Sequence, residues 1–270
     1  MPNQTCRIRV NSDFKPSASR MRILLLPFAI FLSVTMTLVG CDSTDSVPGG
    51  DLVIEDITAG TGDMVEAGQA VIVSYVGMLE DGTVFDSSEE QGENLIFTAG
   101  VGQAIEGLDI GILGMRKGGT RRLSIPSHLA FGRSGMCTSD AECRVPANAN
   151  VIFEIMLVDI MTSVIIEDLV VGPDTALTAT HGRTMIIDYV GTFINGTIFD
   201  ATQFRGTFFE FRLGLGEVIE GLDDGIAGMR VGGVRLITIP SILAYGEFGA
   251  PPTIPAWAIL KFRVDLIGVI

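Results

Sequence analysis

The sequence predicts an α+β fold made twice, as two tandem domains in which one short helix packs on one antiparallel sheet. Three observations carry that expectation. The stretch Tyr75-Val-Gly-Met-Leu-Glu-Asp-Gly-Thr-Val-Phe-Asp86 recurs as Tyr189-Val-Gly-Thr-Phe-Ile-Asn-Gly-Thr-Ile-Phe-Asp200. Each copy alternates apolar residues on both sides of Asp81-Gly82 or Asn195-Gly196, the signal of a two-residue β-hairpin turn. One segment per copy, Ala104 to Met115 and Val218 to Met229, sets apolar residues such as Ile105, Leu108 and Ile112 at helical spacing, with period-two strands on either side.

The chain begins with a segment of another kind. From Met21 to Cys41 a basic start is followed by an apolar run, Ile23 to Leu38, and then by small residues before a cysteine. This reads as an export signal. Pro27 interrupts the run, which is shorter than the roughly 20 residues a spanning helix needs. Leu38-Val39-Gly40-Cys41 resembles a bacterial lipobox, which implies cleavage before Cys41 and lipidation of its thiol. Residues 1–20 are polar and pattern-free, with Met21 an alternative initiator. The expected organisation is therefore an N-terminal extension and signal peptide at 1–40, a polar tether at 41–50, a first domain at 51–161 and a second at 162–270.

Charge narrows the partners. The 18 basic and 32 acidic residues of the whole chain become 13 and 31 once residues 1–40 are removed. So acidic a protein repels nucleic acid and anionic lipid surfaces.

The first hairpin fixes a register. With a two-residue turn at Asp81-Gly82, Asp86 sits opposite Gly77 and on the face of Tyr75, whereas Phe85 joins that face only through a bulge. The copies stay 114 residues apart from Tyr75/Tyr189 to Phe131/Tyr245. The offset then falls to 109 at Pro146/Pro255 and Phe153/Phe262, so the first domain carries five extra residues after Gly132, and Cys137 and Cys143 lie there. Upstream, Ile54-Glu-Asp and Ile166-Glu-Asp are 112 apart, which places a two-residue insertion near His181. The connection between the domains is so short that the two should lie close together.

The candidate chemistry is not that of a metal or a nucleophile. Only His128 and His181 are present, at positions that do not correspond in the repeat, and they read as solvated loop residues. Gly100-Val-Gly102 and Gly214-Leu-Gly216 precede the helices, but the next glycine is wrongly spaced for a dinucleotide fingerprint, so they read as tight turns. No cofactor is expected.

What recurs is a set of aromatic and branched residues around a carboxylate: Tyr189, Phe199, Asp200, Phe209, Val218, Ile219, Tyr245 and Phe262. A tyrosine, an aspartate and an arginine have no place in an ordinary core unless paired. Tyr-x-Gly with Gly-x-x-Phe-Asp, then Val-Ile-x-Gly, Gly-Met and Ala-Tyr-Gly, resembles the FKBP family of tacrolimus-binding peptidyl-prolyl cis/trans isomerases, over nearly all of 51–270. The resemblance implies a half-open sheet curved around the short helix, with an apolar hollow between them that binds a peptidyl-proline segment. In the second domain it implies that Tyr189, Phe199, Phe209, Val218, Ile219, Ile254 and Phe262 line the hollow and that Leu222 takes the floor position, a tryptophan in many relatives. It further implies that the Ile219 N–H and the Tyr245 hydroxyl meet substrate carbonyls, and that Asp200 pairs with Arg205 at the rim. The first domain keeps Tyr75, Phe85, Asp86, Phe97, Ile105, Leu108 and Phe153. It departs in Gln91 for Arg205, Leu95 for Phe209, Ala104 for Val218 and Phe131 for Tyr245.

The expected partners are proline-containing exported polypeptides, the membrane through the lipid anchor, and macrolide ligands, with no nucleic acid. The expected site of action is the cell envelope, facing the periplasm or exterior. The alternative is a non-catalytic chaperone or peptide-binding module. Export also places Cys137 and Cys143 in an oxidising compartment with Cys41 taken by lipid, so an intramolecular disulfide is expected, two free thiols or an intermolecular bridge being the alternatives.

Overall fold

The structure, a computed structural model, describes residues 5–8, 50–139 and 142–270. Cys41 and the apolar run before it lie outside the described residues. In chain order the first sheet contains β1 (Thr5–Ile8), β2 (Leu52–Thr58), β3 (Ala70–Leu79), β4 (Val84–Ser87) and β5 (Leu95–Thr98), with the one-turn helix α1 (Ser88–Gln91) after β4. Helix α2 (Glu106–Gly111) precedes β6 (Thr120–Ile125), the hairpin β7 (Met136–Ser139) and β8 (Glu142–Val145), and the long β9 (Val151–Ile160). The second sheet repeats the plan with β10 (Ile165–Val170), β11 (Thr184–Phe193), β12 (Ile198–Ala201), β13 (Phe209–Arg212), α3 (Glu220–Ile226), β14 (Val234–Ile239) and β15 (Leu260–Val269).

Both sheets are antiparallel and, apart from β1, share one order. In the first it is β1-β2-β6-β9-β3-β4, with β5 also on β3; in the second it is β10-β14-β15-β11-β12, with β13 on β11. Alternation along β3 (BBiBiBiBii) and β11 (iBiBiBiBii) buries one face of each sheet under its helix. The helices are glycine-rich because they ride directly on the sheet. A Cβ at Gly111 would meet the Leu123 side chain at 2.6 Å, and one at Gly225 the Ile237 side chain at 2.5 Å.

Four details differ from the sequence reading. Each helix is one to two turns, not the twelve-residue span expected, because Ile105 and Ile219 are extended caps (ψ 142° and 145°) and glycines follow. The hairpin loops hold three residues, not two: Leu79 N–H donates to the Thr83 carbonyl while Gly82, at φ 88°, turns left-handed. The Asp81 carboxylate takes the Thr83 N–H, which shapes this turn. Third, a bulge at Phe85 restores the register, so Asp86 does face Gly77 while Met78 faces Val84. The second domain repeats this, with Gly191 facing Asp200 and Thr192 facing Ile198. Finally, the segment read as pattern-free contains β1, which pairs with β2 from Thr5↔Glu55 to Ile8↔Leu52.

Candidate functional site

The bulge creates the site. It swings Phe85 onto the face of Tyr75, so that the Phe85 ring lies 5.7 Å from Phe153 and Tyr75 lies 5.9 Å from Phe153. Only glycine leaves room for this: a Cβ on Gly77 would sit 2.8 Å from the Phe85 ring, and one on Gly191 2.7 Å from the Phe199 ring. Where β4 and β12 end, the next N–H of the long strand is taken by a hydroxyl. Tyr75 N–H donates to Ser88 Oγ at 3.0 Å, and Tyr189 N–H to Thr202 Oγ1 at 3.1 Å.

In the second domain Tyr189 stands edge-on to Phe209 at 5.8 Å and tilted to Phe262 at 5.8 Å, while Phe199 stands edge-on to Phe262 at 5.6 Å. Such angles place ring edges against ring faces. The Tyr189 hydroxyl donates to Asp200 Oδ2 at 2.6 Å, and Arg205 Nη2 reaches the same oxygen at 2.7 Å. The Arg205 guanidinium also lies over the Phe209 ring, 5.9 Å from its centre. Burial, together with the neighbouring Asp200 carboxylate, pushes the Tyr189 phenol up to about 12. Its proton therefore stays on at any physiological pH and fixes the carboxylate.

Leu222 and Ile254 are buried in the core below, and Val218 and Ile219 pack against that core from the side. Ile219 is the cap of α3; its carbonyl accepts from Leu222 and Asp223, and its own N–H makes no hydrogen bond among the described residues. That N–H is free for a ligand carbonyl. Tyr245 is 40% exposed, and its hydroxyl has no partner among the described residues.

The first domain assembles Tyr75, Asp86, Phe97, Ile105, Leu108 and Phe153 in the same places. Gln91 keeps the contact of the missing arginine, donating to Asp86 Oδ1 at 2.7 Å, so the charge is lost but not the bond. The Tyr75 phenol is raised further than that of Tyr189, first by burial and then by Asp86, with no arginine to oppose it. The mouth differs more. Phe131 stands edge-on to Phe85 at 5.8 Å and covers it, leaving Phe85 buried where Phe199 is half-buried. The β7–β8 hairpin, closed by the Cys137–Cys143 disulfide, also reaches over this end, with Arg144 Nη1 donating to the Phe85 carbonyl at 3.4 Å.

Sequence reasoning missed two supports. The Gly100-Val-Gly102 turn does bind an anion, but an internal one: the Gly100 and Gly102 N–H groups donate to Asp109 of α2 at 3.0 and 2.9 Å. Gly214 donates likewise to Asp223 at 3.0 Å, so an acidic residue four after each capping isoleucine was the available signal. Phe193, 5.1 Å from Phe199, was also missed, since it lies at the end of β11 where the other copy has Leu79.

A family model described as FKBP-type peptidyl-prolyl cis-trans isomerase matches residues 62–158 and 176–267. The chain is 37% identical over 207 residues to peptidyl-prolyl cis-trans isomerase FKBP10 of Homo sapiens, covering 76% of this chain and 35% of that protein. It is 37% identical over 208 residues to peptidyl-prolyl cis-trans isomerase FKBP9 of Rattus norvegicus, covering 76% and 36%. The chain thus matches about a third of the length of these curated relatives. Among solved structures, the three FKBP domains of wheat FKBP73 share 25% identity, covering 81% of this chain and 94% of that one at a TM-score of 0.37.

Proposed function

We propose, for a chain that belongs to the FKBP-type peptidyl-prolyl cis-trans isomerase family, that it rotates X–Pro bonds in exported polypeptides and does so chiefly in the hollow of its second domain. The observation that carries this reading is the Asp200 carboxylate, held by both Tyr189 and Arg205 at the edge of an aromatic hollow whose Phe199 remains accessible. Rotation about X–Pro faces a barrier of ~18–20 kcal/mol, most of it amide resonance. Water stabilises the charge-separated planar amide more than the twisted one, so an apolar hollow removes that preference. The Ile219 N–H and Tyr245 hydroxyl hold the flanking carbonyls while the bond turns. No covalent step is needed. Macrolides of the tacrolimus kind would fill the same hollow.

A protease-coupled prolyl-peptide assay on the full chain tests the reading. We expect cis-to-trans conversion well above the uncatalysed rate. Tight binding of the peptide with no acceleration would instead establish a non-catalytic peptide-binding module.

We further propose that Cys41 is lipidated and tethers both domains to a membrane of the cell envelope. The support is the lipobox-like Leu38-Val39-Gly40-Cys41 after an apolar run of signal-peptide length. The chain should partition into the detergent phase on phase separation, and Cys41→Ser should release it. Wild-type protein found wholly in the aqueous phase would refute the anchor.

A further inference from the structure

A cavity of about 580 Å³ lies between the two domains, beside the first hollow and not inside it. One wall is β5 with the turn before it; the other is the β11–β12 turn at 193–195 together with residues 255–261. Tyr75, Leu95 and Phe97 belong to this wall and also to the first domain's aromatic site, so hollow and cleft are continuous.

The second domain is fastened there by an unusual residue. Trp257 has φ 60°, a left-handed conformation that side chains larger than asparagine rarely adopt, and the matching residue of the first domain is Asn148 at φ 59°. The strained tryptophan aims its carbonyl into the first domain, where Thr98 Oγ1 donates to it at 3.0 Å and Gln103 Nε2 at 2.8 Å. Its ring lies where a Cβ on Gly68 would be, at 2.7 Å. Ala70, Met161 and Ile259 are buried together across the same contact, with Ile72 and Ile96 packed on them. A local rule of the second domain is broken for a contact with the first, which marks the junction as built.

β5 is paired along one edge only, with β3. Thr98 N–H points away from β3, since it donates to Gln103 Oε1. By the alternation of an antiparallel strand, the N–H and C=O of Ile96 point the same way, outward along the cleft. Around them stand the side-chain amides of Asn94 and Asn195, with one acid, Glu93, and one base, Lys261, while the amides of Gln91 and Gln103 are engaged with Asp86, Thr98 and Trp257. Balanced charge, two amides and an unpaired strand edge suit a peptide backbone of any sequence better than an ion.

We propose that the cleft binds an extended segment of client polypeptide, added as a strand to the outer edge of β5, so that a chain with its proline in the first hollow continues between the domains. Main-chain hydrogen bonds supply the affinity in such strand addition. This rests on the isomerase reading, but its test is separable from it. The variant is Ala256→Trp, an exposed residue on the second domain's wall of the cleft and not one of the residues that form either aromatic hollow. The control is Ala147→Trp, the matching exposed position of the first domain, outside the cleft. Two probes are compared in the full chain: a proline-centred tetrapeptide anilide for turnover, and a longer peptide with the same core and alternating apolar flanks for binding. Ala256→Trp should weaken the longer peptide on the order of tenfold and leave tetrapeptide turnover unchanged, while Ala147→Trp should change neither. Methylating alternate backbone nitrogens of the flank should cause a similar loss in the wild-type chain. Unchanged affinity in both tests would overturn the cleft. Absence of tetrapeptide turnover in wild type would instead sink the isomerase reading, and the binding shift would still stand.

Discussion

Phe199→Ala should lower kcat/KM for a prolyl peptide by roughly 10- to 100-fold in the full chain, since burying a phenylalanine is worth about 1.5–3 kcal/mol. The ring is both wall and shield: it lies 5.6 Å from Phe262 and 5.1 Å from Phe193, and it is open enough for a substrate to touch. If the hollow works as proposed, removal of the ring would readmit water to the substrate carbonyl. Phe85→Ala, the matching change in the first domain, should cost much less activity, because Phe131 and the Arg144 contact already cover that end. Its cost should appear in stability instead, since Phe85 is buried. Activities of the two variants within twofold of one another would show that the hollows share the work.

Much of this was legible in the chain because it is written twice. The repeat located the hairpins, the helix of each copy and the carboxylate facing Tyr75 or Tyr189, and alternation alone separated the buried from the open face. The Phe85 bulge was not legible, because strand periodicity cannot say where one residue is skipped; it took the close approach at Gly77, which only coordinates display. Nor was the Gln91–Asp86 bond, since a neutral amide in place of arginine reads as a loss until its distance is known. The interdomain contact was the least visible. Trp257 differs from Asn148 by one letter in a loop, and nothing in a linear pattern marks a left-handed tryptophan or the glycine, Gly68, that its ring faces in the other domain.

The last expectation concerns a residue that read as one polar position in an alternating strand. Arg235, 8% exposed, lies under the end of α3. Its Nε and Nη2 reach Asp168 of β10 at 2.7 and 3.1 Å, and Nη1 donates to the carbonyls of Gly225 and Ala227 at 2.8 and 3.2 Å. One cation thus closes the C-terminal end of the helix, where the carbonyls have no helical partners, and binds the edge strand to β14. Arg121 does the same in the first domain with Asp56, Gly111 and Leu113. In Arg235→Met the helix carbonyls would be left buried without donors. Asp168, half in solvent, would rehydrate and spare part of the cost. We therefore expect a loss of roughly 2–4 kcal/mol, below the full penalty for breaking a fully buried pair. Trp257 is the chain's single tryptophan and lies in the second domain with its ring against Gly68 of the first, so its fluorescence during urea unfolding reports loss of the second domain or of the junction it makes, and far-UV circular dichroism followed alongside separates the two. Arg235→Lys should recover only part of the loss, since an ammonium on a flexible stem cannot serve the carboxylate and both carbonyls in the fixed fork geometry of a guanidinium. A midpoint unchanged in Arg235→Met would mean that the helix end is held by the sheet packing alone.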